Sequence, residues 1–231
     1  MKALVVSILI LSSASIPRTP KSNVFLEAGG LKISREGDQL ILDHEVGGGA
    51  SYYSRYLAKP TWPGGASGVT IGVGYDLGYN SRSQIAKDWH MLSSDIVSRL
   101  QAVAGVKGQA ARYKVSALRG IAIPWDYANE VYQKSTIPRF AALTEKAYTG
   151  TKTLHPHIQG SMLSWVFNRG SGISSSSSRD REKRAIRSAI PTQPESLPSQ
   201  FRASKRLWLG KGLDGLLRRR EDEALLIESA L

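Results

Sequence analysis

The run Gly68-Val-Thr-Ile-Gly-Val-Gly-Tyr-Asp-Leu-Gly-Tyr79 offers one threonine hydroxyl, Thr70, and one carboxylate, Asp76, among glycines, tyrosines and apolar residues. Upstream, Glu45 stands two residues before Gly47-Gly48-Gly49. Residues 39–45 can continue as strand or form a short helix that these glycines stop; in the helix, the preferred reading, Glu45 lies in the last turn. Exposed carbonyl dipoles there disfavour an added negative charge, an environment that suits a general acid. Two other chemistries fail on spacing. Gly72-Val-Gly74 resembles the opening of a dinucleotide fingerprint, but Gly78 falls one residue beyond the place of the third glycine. His155-Pro-His157 sets two imidazoles close in sequence, yet no third ligand stands at a suitable spacing and Pro156 marks a helix entry, so no metal is expected.

The glycines of the first run need a cause. In a strand, glycine costs backbone entropy and packs nothing, so Gly72, Gly74 and Gly78 imply a bend, a bulge or the close approach of another group. Either they shape a tight hairpin or they let a ligand lie against bare backbone. Ahead of them, Lys32–Ser34 reads as a short strand, Glu36-Gly37-Asp38 as a turn, and Asp38 as the cap of the helix ending near Glu45. Downstream the periodicity is helical over 88–100 and 110–123, with a further helix entered at Pro124-Trp125 and broken or kinked at Pro138. Residues 154–167 predict a buried central helix, with Ile158, Met162 and Val166 on one face and a stop at Gly170. A serine-rich loop at 174–178 precedes a basic helix over 179–190, and Pro191, Pro194 and Pro198 mark a loop. A last amphipathic helix starts at Gly215, with Arg218 and Arg219 each four residues before an acid. The expected fold class is α+β, predominantly helical, with a small glycine-rich β element. The expected organisation is an N-terminal segment over 1–37 and one domain over 38–231.

Composition bounds what such a chain can do. Its 231 residues, 41% hydrophobic and 22% charged, suffice for a full core. Lys and Arg outnumber Asp and Glu by 31 to 19, a net charge of +12 that favours polyanions such as nucleic acid, anionic glycan or bacterial envelope polymers. The absence of cysteine excludes disulfides and thiolate metal sites. Residues 1–15 have one lysine, an apolar run and small residues, the layout of a secretory signal peptide; a buried strand is the alternative.

Glu45, the run from Lys59 to Tyr79, the segment Trp165-Val-Phe-Asn-Arg-Gly170 and the tail Leu216-Leu-Arg-Arg-Arg-Glu-Asp-Glu-Ala224 together resemble the phage-type lysozyme (muramidase) group, in particular its pesticin-related branch. The resemblance runs in order from about residue 38 to the C-terminus. It implies a lysozyme-like domain whose glycine-rich β element lies next to an active-site cleft. The implied activity is hydrolysis of the β-1,4 bond between N-acetylmuramic acid and N-acetylglucosamine in peptidoglycan. Glu45 matches the family's catalytic glutamate and Thr70 the threonine of its Thr-Ile-Gly-x-Gly motif. The aspartate departs from the best-known members, which carry it before the threonine. Positions 46–75 contain no acid here and Gly64 stands at that place, whereas the pesticin-related branch resembles this chain in having an aspartate after the threonine, matched by Asp76. Glu45 then acts as acid and Asp76 as base, with Thr70 holding the attacking water and inversion at the anomeric carbon.

On this reading Gly74, Tyr75, Trp62, Asn168 and Arg169 are candidate substrate contacts. Asp76 could instead cap the next turn, Asn168 stop a helix, and the other tryptophans fill the core. The implied partners are peptidoglycan glycan strands and an immunity or inhibitor protein, with no cofactor, no nucleic acid and no stable membrane span. A monomer is the default, secreted or periplasmic, and cytoplasmic before release if residues 1–15 are not a signal. A lytic transglycosylase needing only the glutamate and a non-catalytic module binding anionic glycan are the competing classes.

Overall fold

The computed structural model describes residues 25–47 and 49–231. The segment 1–15, read as a signal peptide or a strand, lies outside them. The described chain packs as two compact units, one of residues 45–137 and one of residues 25–44 with 138–231.

Strands β1 (Phe25–Ala28) and β2 (Leu31–Ser34) form an antiparallel hairpin in which Ala28 faces Leu31. Gly29 and Gly30 turn it with positive φ at both positions, as a two-residue loop matching strand twist requires. Helix α1 follows at once, Arg35–Val46, and Gly47 stops it at φ 67°. The expected turn at 36–38 and cap at Asp38 are therefore corrected, because helix already begins at Arg35. The expected boundary at residue 38 falls inside α1, and the hairpin before it is part of the second unit.

In the unit of residues 45–137, α2 (Gly49–Tyr52) continues into a π turn over 53–57, and buried Tyr53 donates its hydroxyl to the Ile123 carbonyl at 3.2 Å. Then come β3 (Thr70–Ile71), β4 (Tyr75–Asp76), α3 (Arg82–Asp88), α4 (Ser94–Gln101), α5 (Gly108–Lys114), a 3-10 turn over 115–118 and α6 (Trp125–Val131). The single helix expected over 88–100 is two, since Ser93 accepts from the Ile96 amide and starts α4 afresh. Ile71, Tyr75, Leu77 and Trp89 form the core beneath the glycine-rich hairpin. After α6 a π turn over 132–136 leads into α7 (Ile137–Ala147). Pro138 lies in the first turn of α7, where its missing N–H is least costly, and the π turn absorbs the irregularity expected there.

The remaining helices are α8 (Pro156–Arg169), α9 (Arg181–Ala189), α10 (Leu197–Ala203) and α11 (Asp214–Glu228). As expected, α8 is central: residues 158–166 are all buried, and Gly170 ends it at φ 71°. It packs on β2 and α11, and Met162, Trp165, Ile186 and Phe201 fill the space around it. Lys183 closes its C-terminus. The ammonium donates to the carbonyls of Arg169, Gly170 and Gly172 at 2.7, 3.1 and 2.8 Å and lies 3.7 Å from Asp180. The loop expected around the prolines is largely helical, because Pro194 and Pro198 sit in first turns, which tolerate proline. Among the described residues no helix is long and apolar enough to cross a membrane.

Candidate functional site

The glycine-rich run folds as a two-residue ladder in which Thr70 stands opposite Asp76 and Ile71 opposite Tyr75. Its turn is Gly72-Val73-Gly74, with both glycines at positive φ and the Gly74 amide donating to the Gly72 carbonyl at 3.2 Å. Thr70 spends its backbone on the other side: it donates to the Thr61 carbonyl at 2.7 Å and accepts from the Thr61 amide at 3.0 Å. The Leu77 amide meanwhile donates to the Val69 carbonyl at 2.9 Å. Thr70 and Asp76 are therefore a non-hydrogen-bonded pair, the class whose side chains come closest on one face.

Asp76 is half-buried and its carboxylate is cradled by backbone. Oδ1 accepts from the Gly78 amide at 2.8 Å and from the Gly68 amide at 3.0 Å, and Oδ2 shares the Gly68 amide at 3.0 Å. Asp76 thus caps the 3-10 turn Leu77–Tyr79, the structural role weighed for it. Capping leaves Oδ2 with lone-pair capacity that its single shared N–H does not exhaust. Burial raises the Asp76 carboxyl above the usual aspartate value, against the lowering pull of the Gly68 and Gly78 amides and of the Lys107 cation.

The glycines serve this cradle. A Cβ on Gly68 would lie 2.4 Å from Asp76 Oδ1 and 2.4 Å from the Gly78 nitrogen, and one on Gly78 would lie 2.6 Å from the Val106 carbonyl oxygen. A Cβ on Gly72 would lie 2.9 Å from the Trp89 ring. Gly72 and Gly78 therefore face protein, which corrects the picture of a ligand lying on bare backbone there; Gly74 is exposed. Tyr75 is corrected as well. Its ring is 1% exposed against Trp89, and its hydroxyl donates to the buried Asp88 carboxylate at 2.7 Å, so it braces the strand from behind and cannot be a solvent-facing wall. Trp62 is half-buried in its loop, with its indole N–H on the Ser67 carbonyl at 3.0 Å.

Glu45 lies half-buried in the last turn of α1, where the sequence puts it, and belongs to the same compact unit as Thr70 and Asp76. Asn168 and Arg169 belong to the other unit, in the last turn of α8. Asn168 is half-buried. The Arg169 side chain is 3% exposed, stacks on the Trp165 and Trp208 rings and donates to the Arg179 carbonyl at 2.8 Å, so its expected contact with substrate is corrected to an internal role. His155 and His157 start α8, the first accepting from the backbone amide of the second.

Sequence reasoning passed over three residues near Asp76. Gly68 makes room for the carboxylate, a role with no local signal. Lys107, distant in sequence, sets its field and lies 3.8 Å above the Tyr79 ring. Tyr79 closes the quoted run and is 63% exposed, an aromatic face available to solvent beside the hairpin.

Residues 38–135 match the family model described as a domain of unknown function, DUF8812, a span that includes Glu45, Trp62, Thr70 and Asp76. No curated protein matches the chain.

Proposed function

We propose that the chain is a peptidoglycan hydrolase on a lysozyme-like fold, cleaving the β-1,4 bond after N-acetylmuramic acid. The observation that carries this reading is the opposition of Thr70 and Asp76 on one face of the hairpin, with Asp76 Oδ2 retaining acceptor capacity. Glycosidic hydrolysis without a metal needs a protonated carboxyl, an ionised carboxylate and a held water. Glu45 gives its proton to the leaving oxygen as the anomeric C–O bond breaks. Asp76 Oδ2 takes a proton from the water, which the Thr70 hydroxyl orients, and the water oxygen bonds to the anomeric carbon. Tyr79 replaces Tyr75 as the aromatic face for a sugar ring. The net charge of +12 draws the protein to an anionic wall, less strongly as salt rises.

The test is clearance of purified peptidoglycan suspensions by wild type, Glu45→Gln and Asp76→Asn. The reading expects each variant to lose roughly 10²-fold or more. Full activity in either variant, or none in wild type, contradicts it.

A further inference from the structure

A pocket of about 450 Å³ opens in the unit of residues 45–137. Its floor is apolar: Leu118 and Ile121 are buried, and Pro60 and Val115 are half-buried. Its rim is cationic and polar, with exposed Lys59, Arg119 and Ser116, and among the described residues no acidic side chain lines it. Neither Lys59 nor Arg119 is neutralised by an ion pair among the described residues. The walls are fixed before any ligand arrives. The Ile123 amide donates to the Ala58 carbonyl at 2.8 Å, tying the two sides together, and Arg99 donates to the carbonyls of Ala117 and Arg119 at 3.0 and 2.8 Å. An apolar floor beneath two unpaired cations suits a ligand with small apolar groups and a carboxylate.

The pocket is joined to the candidate catalytic hairpin. Lys59-Pro60 runs into Thr61, which pairs with Thr70, which faces Asp76. Adjacent paired strands lie about 4.8 Å apart, so Thr61 is two strand spacings, about 10 Å, from Asp76.

We propose that this pocket takes the carboxylate-bearing stem peptide carried by the glycan, a subsite that rests on the hydrolase reading above. Lys59 and Arg119 pair with the peptide carboxylate, and Pro60, Leu118 and Ile121 receive its small apolar side chains.

The test has two arms on the full chain. The first follows backbone amide resonances while adding a short synthetic peptide of alanine and glutamate with a free C-terminal carboxylate, or the same peptide as its C-terminal amide. Shifts confined to residues 115–122 and their neighbours, with affinity about tenfold weaker for the amide and for Lys59→Ala/Arg119→Ala, support the proposal. No shifts there, or equal affinity for acid and amide, overturn it. The second arm compares cleavage of intact peptidoglycan with cleavage of glycan stripped of its peptides. The double variant is expected to raise KM about tenfold on the intact substrate only; an equal change on both overturns the proposal. Peptide shifts without cleavage of either glycan contradict the hydrolase reading and leave the pocket's peptide recognition standing.

Discussion

Gly37 in α1 and Gly160 in α8 meet backbone to backbone, and Gly160→Ala isolates what that contact is worth. A Cβ on Gly160 would lie 2.6 Å from Gly37 Cα. Carbon atoms rest at about 3.5–4.0 Å, so the two helices must separate by roughly 1 Å. Forcing extra volume into a packed site costs about 1–3 kcal/mol. Alanine returns about 1 kcal/mol of helix propensity. Because the atom met is backbone, which cannot swing aside, the strain falls in the upper part of that range, about 2–3 kcal/mol, leaving a net loss of about 1–2 kcal/mol, or roughly 2–8 °C in Tm for a chain of this size. The internal control is Gly215→Ala in the first turn of α11, where a new Cβ meets nothing within 4 Å. There propensity acts alone, and a gain of up to about 1 kcal/mol is expected. The assay is urea and thermal unfolding of both variants beside wild type. A Gly160→Ala midpoint at or above that of wild type refutes the reasoning.

Asp76 makes the site sensitive to pH. Burial raises its carboxyl, so the acid limb of kcat/KM should lie above about 3.9, the ordinary aspartate value, and Lys107→Gln should move that limb further up; a limb unmoved in the variant contradicts the assignment. Stability carries the same sign, since the folded state holds this proton more tightly than the unfolded chain. The contribution of Asp76 is most favourable below the unfolded pKa and declines as pH rises through the folded one, and Asp76→Asn should remove that dependence from urea midpoints measured across pH. Gly68→Ala drives a methyl into the carboxylate cradle, 2.4 Å from Asp76 Oδ1, and should cost about 1–3 kcal/mol with a roughly tenfold or greater loss of glycan cleavage; unchanged cleavage would show the cradle to be irrelevant to chemistry. Lys183→Met strips the donor from three carbonyls and leaves Asp180 beside them without that cation, for an expected loss of about 2–4 kcal/mol in thermal unfolding. A shift of less than about 1 kcal/mol would mean that water replaces the ammonium there.

What was legible in the sequence was local. The stop at Gly170, the inward face of α8, the pairing of Arg219 with Glu223 at 3.4 Å and the place of Glu45 in a last turn all follow from periodicity and from glycine at helix ends. What was illegible depends on partners distant in the chain. Gly37 reads as a turn residue until Gly160 is packed against it, and α1 starts at Arg35 because the Ser34 hydroxyl accepts from the Gly37 amide at 3.0 Å. Gly72 and Gly78 read as a floor for a ligand until Trp89 and Val106 occupy that space. Tyr75 and Arg169 look like surface recognition groups beside their motifs, but Asp88 in one unit and the Trp165 and Trp208 rings in the other draw them inward. The pairing of Thr70 with Asp76 was half legible: both residues were singled out, but their opposition depends on a turn closed by Gly72 and Gly74.

The central claim is that Glu45 and Asp76 add water across a glycosidic bond. Digestion of purified peptidoglycan in heavy-oxygen water, with mass spectrometry of the released fragments, tests it most directly. The account predicts that wild type produces reducing N-acetylmuramic acid ends each carrying one solvent oxygen, and that both Glu45→Gln and Asp76→Asn lose them. Anhydro ends without solvent oxygen, still formed by Asp76→Asn, would contradict it and assign the glutamate to transglycosylation alone.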